Sequence, residues 1–124
     1  MILIDTNIFI DHFRNFKPAT TFFESLQERN NVLFSAITEA ELVSGTINKD
    51  TEKKELLLRF LSQWNKIEVT NEIAVLAGDL RRDNALFLPD AIIAASAIIN
   101  KAELITKNIK DFKDIKELKI SSPY

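Results

Sequence analysis

A chain of 124 residues, 46% of them hydrophobic and including nine Phe but only three Pro and two Gly, is long enough to bury a core as one domain spanning residues 1–124 and too short for two ordinary domains. The absence of Cys excludes a disulfide framework, a thiolate metal site and a thiol nucleophile. Sixteen Lys and Arg against eighteen Asp and Glu leave a net charge of −2, so no global positive field marks a nucleic-acid binder, while phosphate contacts made through a metal stay open.

Met1 to Ile4 is a short apolar run ending at Asp5, which predicts a buried strand. Asp5 or Thr6 then caps a predicted helix from Asn7 to Phe13, with Ile8, Phe9 and Phe13 inward. Pro18 opens a second amphipathic stretch to about Glu28, and Val32 to Ser35 reads as the next strand. A helix from Thr38 to Ser44 is stopped by Gly45. From Asp50 to Trp64 the pattern is an amphipathic helix with Leu56, Leu57, Phe60 and Leu61 inside. Ile67 to Val69 is a strand candidate, and Asn71 to Asp83 is helical on Ile73, Leu76, Ala77 and Leu80. After Pro89 a nearly all-apolar helix runs from Asp90 to Asn100. A strand at Leu104 to Thr106, a Lys-rich irregular stretch and a last short strand at Leu118 to Ile120 complete the chain. The longest apolar run, Ala91 to Ile99, falls far short of the about 20 residues that cross a bilayer. With no basic segment before Asp5, neither a signal peptide nor a membrane association is expected, and a cytoplasmic location is.

Short apolar strands alternating with helices predict an α/β three-layer sandwich: a central, mainly parallel sheet of four to five strands with helices on both faces. In such sheets ligands bind beyond the carboxyl ends of the strands. Asp5 ends the first strand there, and Thr106, Lys107 and Asn108 end the penultimate one, with Asp111 a turn further on. Asp90 opens the apolar helix, and Glu41 lies one turn into the helix after the second strand. A cluster of acids without Cys or a partnering His is the ligand set of a hard cation such as Mg²⁺ or Mn²⁺.

Each acid also has a purely structural reading. Asp5 fits a helix cap, and Thr38-Glu39-Ala40-Glu41 fits a capping box in which Glu41 reaches back to the Thr38 amide. At about 100° per residue, however, Glu41 falls near Ile37, Ala40 and Ser44 on a packed face, where an unpaired carboxylate is costly. Asp90 shares a face with Ile93, Ala94 and Ala97, a neighbourhood that a lone cap does not need. His12 is the only histidine, and without a G-x-S-x-G turn it reads as a surface or partly packed residue. The lysines at 107, 110, 113, 116 and 119 form either a solvated face or a rim that guides a phosphate backbone.

Four segments in order, ILIDTN ending at Asn7, SAITEAELVSG from Ser35, LPDAIIAASA from Leu88 and LITKNIKDF from Leu104, resemble the PIN domain, in particular the small VapC-like toxins of type II toxin–antitoxin systems. The likeness runs nearly end to end. It implies a PIN-like, Rossmann-like sandwich and a Mg²⁺- or Mn²⁺-dependent endoribonuclease that hydrolyses RNA with water as the attacker. Carried over, Asp5, Glu41 and Asp90 match the first three acidic positions of the family's site. The family often has an acid two residues after the Thr of the penultimate strand, where this chain has Asn108. Asp111 matches an acid that many members carry in the following turn. The resemblance thus implies a catalytic set of Asp5, Glu41, Asp90 and Asp111, with Asp5, Asp90 and Asp111 as metal ligands. Asn7, Thr106 and Asn108 support it; from the charge pattern of the rim lysines, Lys107 and Lys110 are the candidates for substrate contact. It further implies a VapB-like antitoxin partner and a homodimer formed through the early helices, where Phe13, Phe16, Phe22 and Phe23 supply apolar surface. The alternative is a catalytically inactive PIN-like module that holds metal or RNA without cutting. A haloacid-type phosphatase would want an acid where Asn7 stands, and no Gly-rich phosphate loop is present.

Overall fold

Five parallel strands form the middle layer in a computed structural model that describes residues 1–124. The central strand is β1 (Ile2–Ile4). On one side of it lie β2 (Val32–Ser35) and β3 (Asn65–Ile67), and on the other β4 (Glu103–Ile105) and β5 (Ile120–Ser121). The expected four to five mainly parallel strands are five, all parallel. Seven helices connect them: α1 (Thr6–Phe13), α2 (Lys17–Ser25), α3 (Ala36–Val43), α4 (Thr51–Leu61), α5 (Asn71–Asn84), α6 (Leu88–Ile99) and α7 (Ile109–Phe112). None of them is long and apolar enough to cross a membrane.

The period of two along each strand divides the core between the faces. Leu3, Leu33 and Leu104 pack with α5 and α6 through Ile73, Ala77, Leu80, Ile93, Ala94 and Ala97. Ile2, Ile4, Val32, Phe34 and Ile105 pack on the opposite face with Ile8, Phe9, Phe23, Leu57 and Leu61. Because the inner strands are covered on both faces, they read in sequence as continuous apolar runs. The small residues Ala91, Ala94, Ala95 and Ala97 are all fully buried, so α6 lies close against the sheet and its first turn is fixed in place.

Several elements differ from the sequence reading. Helix α3 starts at Ala36, and its cap is Ser35, whose Oγ accepts from the Ile37 amide at 3.1 Å. Gly45 has an ordinary φ of −61°, so the helix ends without a left-handed glycine. Strand β3 pairs two residues earlier than expected, with Asn65 opposite Leu33 and Ile67 opposite Ser35. Leu56 is 59% exposed, so the buried stripe of α4 narrows to Leu57 and Leu61 with Phe60 at its margin. Phe23 is core, Phe22 is partly buried and Phe16 packs edge-on to Tyr124 at 5.6 Å, while Phe13, expected inward, is exposed with its ring edge-on to Phe60 of α4 at 5.3 Å. His12 stacks on Phe60 at 4.5 Å with Nδ1 3.1 Å from Thr20 Oγ1, and burial lowers its pKa.

The cap of α4 is Asp50, which accepts from the Glu52 amide at 2.9 Å and more weakly from that of Lys53 at 3.4 Å. Asp50→Ala removes this acceptor and is expected to destabilise the fold by about 1 kcal/mol. In urea the midpoint should fall with an unchanged slope.

Candidate active site

The chain leaves β1 toward β2 on one side and returns to β4 on the other, so the segments after β1 and β4 diverge from adjacent strand ends. That divergence opens the crevice in which parallel sheets bind ligands. The register pairs Ile4 with Ile105, and the next residues, Asp5 and Thr106, sit side by side at the crevice floor. The Asp5 amide donates to the Ile105 carbonyl at 2.9 Å. Its Oδ1 accepts from the Thr6 amide at 2.8 Å, and its Oδ2 accepts from Thr106 Oγ1 at 2.7 Å. Thr106 Oγ1 in turn accepts from the Asn108 amide at 3.0 Å, so Asn108 supports the site through its backbone. Asp5 therefore caps α1 as expected, but only one of its oxygens is occupied in doing so.

Glu41 overturns the capping box. Its carboxylate does not return to the Thr38 amide; Oε1 accepts from Thr6 Oγ1 at 2.8 Å, across from α3 to α1. Thr38 is fully buried, and its hydroxyl lies 2.8 Å from that of Thr6. The three-residue spacing between Thr38 and Glu41 reflects one shared helix face, not a cap. The body of Glu41 is also exposed, where a packed position was expected. Thr6 and Thr38 were not singled out as site residues from the sequence; their placement one residue after Asp5 and one turn before Glu41 was the available signal.

Asp90 lies in the first turn of α6, two residues inside the start that Leu88 makes, and is half-buried. It lines a cavity of about 520 Å³ together with Asp111, Lys110, Asp114 and the exposed Phe87. Burial first, and then the charges of Asp5, Glu41 and Asp111, push the Asp90 carboxyl up to about 6. Burial also pushes Asp5 up, and Glu41 and Asp111 add to it; the Thr106 hydroxyl and Thr6 amide offset this only in part. The four predicted acids thus share one electrostatic field. None of them belongs to an ion pair, although Asp11, Glu39, Asp79 and Asp83 elsewhere in the chain do.

Repelling carboxylates without a basic partner suit a divalent cation. No three of them stand close enough together to hold one ion among themselves. Both Asp5 and Glu41 have an oxygen turned onto a threonine hydroxyl, which keeps the set open. An open set suits a cation that retains several of its waters, as Mg²⁺ does, and leaves coordination positions for water and phosphate oxygens.

The remaining sequence candidates separate. Asn7 is exposed and bonds no other side chain. Lys110 lies on the cavity wall beside Asp111. Lys107 points elsewhere: its Nζ is 3.3 Å from Asp11 Oδ2 and 5.2 Å from the ring centroids of both Phe16 and Tyr124. The Tyr124 hydroxyl donates to the same Asp11 oxygen at 2.8 Å.

A five-stranded parallel sheet in this order, with acids gathered at its switch point, defines the class: residues 2–118 match the PIN domain model, and the chain belongs to the PIN domain family. Within that family its similarity is to VapC proteins. Ribonuclease VapC10 of Mycobacterium tuberculosis is 31% identical, with 96% of this chain and 91% of the relative covered. Ribonuclease VapC2 of Rickettsia felis is 32% identical, with 94% and 92% covered. Among solved structures, a toxin–antitoxin complex from Klebsiella pneumoniae superposes with a TM-score of 0.84 at 35% identity, covering 100% of this chain and 98% of that one. VapBC2 from Rickettsia felis, bound to a DNA fragment from its promoter, gives 0.82 at 30% identity, with 98% of each chain covered.

Proposed function

We propose that this chain is a VapC-type endoribonuclease, the toxin of a VapBC-type toxin–antitoxin pair, that hydrolyses RNA phosphodiester bonds at the site of Asp5, Glu41, Asp90 and Asp111. The carrying observation is the gathering of four carboxylates with no ion-pair partner around one crevice, where burial first and the charges of Asp5, Glu41 and Asp111 second push Asp90 up to about 6. The similarity to ribonucleases named VapC and to toxin–antitoxin complexes supports the substrate and the partner. The partner is a VapB-type antitoxin, and the toxin pairs with a second copy of itself.

Asp5, Asp90 and Asp111 would hold Mg²⁺ or Mn²⁺. A divalent cation there supplies Lewis-acid charge to the scissile phosphate and to the attacking water. The chain's own groups do the rest. The Thr106 hydroxyl and Thr6 amide hold the Asp5 carboxylate in one orientation. Glu41, whose Oε1 accepts from Thr6, keeps Oε2 available to accept a proton from the attacking water.

Lys110 offers positive charge at the cavity wall, whereas Lys107 is committed to Asp11. Lys110→Ala is therefore expected to raise KM for RNA about three- to tenfold with little change in kcat, and Lys107→Ala less than twofold, because a phosphate contact made equally in ground and transition states is uniform binding. Steady-state kinetics at fixed salt separate the two variants.

Induction of the chain in a bacterial host tests the toxin assignment. The expected result is growth arrest with fragmented RNA, relieved by a co-expressed VapB-type antitoxin and absent for Asp90→Ala. Equal arrest by Asp90→Ala would contradict it.

A further inference from the structure

We propose that Thr38 and Thr6 form a two-hydroxyl relay that positions Glu41, an assignment that rests on the nuclease reading for its catalytic consequence. The direction of the relay follows from proton counting. A carboxylate only accepts, so the single hydroxyl proton of Thr6 is donated to Glu41 Oε1 at 2.8 Å. Thr6 Oγ1 can then only accept from Thr38, 2.8 Å away. The sequence of donation is Thr38 to Thr6 to Glu41, linking a fully buried hydroxyl to an exposed carboxylate.

A second observation separates this from ordinary packing. Ser96, another fully buried hydroxyl, donates to the Ile92 carbonyl one turn back in its own helix, at 2.7 Å. Thr38 instead aims at a residue 32 positions away, on a helix that follows a different strand. Valine would fill the same space without a polar group to satisfy, so the hydroxyl at 38 is spent on Thr6. Each donation polarises the next, and a Thr6 hydroxyl that accepts from Thr38 is a stronger donor to Glu41. Glu41 is otherwise a flexible side chain free of ion pairs. Thr6 and Thr38 are positioning residues: they act on the reaction through where Glu41 stands.

Two cycles on the full chain test this. In thermal unfolding, Thr6→Val strands the buried Thr38 hydroxyl without an acceptor, so the double variant Thr6→Val/Thr38→Val should melt above Thr6→Val alone. In single-turnover RNA cleavage with excess enzyme, Thr6→Val should slow the reaction about thirtyfold and Thr38→Val about fivefold, with Thr6→Ser and Thr38→Ser within about twofold of wild type. In the Glu41→Ala background Thr38→Val should cause no further loss. Additive melting losses would overturn the relay whatever happens to RNA. A fivefold loss from Thr38→Val that persists without Glu41 would overturn the positioning role. Non-additive melting in a wild-type protein that cuts no RNA would establish the relay and overturn the nuclease reading alone.

Discussion

Asp5→Asn is expected to abolish RNA cleavage, by at least about a thousandfold or roughly 4 kcal/mol of transition-state stabilisation, in a protein that stays folded. The substitution keeps the side-chain shape. The amide oxygen still accepts from the Thr6 amide, and the Thr106 hydroxyl can rotate to accept from the new nitrogen. What disappears is the charge at the floor of the crevice, where β1 and β4 end side by side. Thermal unfolding measured beside single-turnover cleavage separates lost chemistry from lost structure. The melting temperature in chelator should hold or rise, because burial raises the Asp5 pKa and the native state therefore disfavours its ionised form at neutral pH. Cleavage within tenfold of wild type would remove Asp5 from the mechanism.

Asp90→Asn should stabilise the metal-free protein at pH 7. The Asp90 carboxyl rises from 3.8 to about 6 on folding, so the folded state binds its proton more tightly than the unfolded chain does. For an acid raised in this way, stability is fully present below pH 3.8, falls as pH rises between 3.8 and about 6, and stays low above. Replacing the ionisable group removes that penalty, worth roughly 1–2 kcal/mol at pH 7 once screening of a half-exposed side chain is discounted. The advantage over wild type should vanish near pH 3.5 and should invert when Mn²⁺ is added at neutral pH. A ligand that binds only the folded state at a hundred times its Kd stabilises by about 2.7 kcal/mol, and the variant lacks one of the proposed ligands. Urea unfolding at both pH values, with and without Mn²⁺, reads all three effects. A wild-type protein more stable than Asp90→Asn in chelator at pH 7 would contradict a carboxyl raised by burial and by its acidic neighbours.

The parts of the fold that local chemistry decides were legible in the sequence. β1 and β2 announced themselves as apolar runs closed by a polar residue, and the alanine-rich α6 was visible because a helix buried on nearly every side has no polar stripe. The order of the strands was not legible, since which strand lies beside β1 is settled by crossovers between distant segments. The same limit hid the hydroxyl chain. Thr38 and Glu41 are three residues apart, a spacing that serves a capping box or a shared face equally well, and only the approach of α1 decides between them. Lys107 looked available because its anchors, Asp11 and Tyr124, are 96 and 17 residues away in sequence. Leu56 was assigned inward from periodicity, but the shelter over α4 is narrower than its apolar stripe, and Leu56 lines an apolar groove with Phe13 and Ile47 instead. Asp5 and Asp90 are conspicuous in the sequence, because a carboxylate after a buried strand or at the head of an apolar helix stands out wherever it falls.

Cleavage of a defined single-stranded RNA by the purified chain, compared in Mg²⁺, in Mn²⁺ and in chelator with Asp5→Asn alongside, tests the central claim most directly. Cuts that require the divalent cation and disappear with Asp5→Asn are the expected result. Cutting that persists in chelator, or that Asp5→Asn shares, would contradict a hydrolytic site built on these carboxylates. A pure protein that binds Mn²⁺ yet leaves the RNA whole would make it a binding module instead.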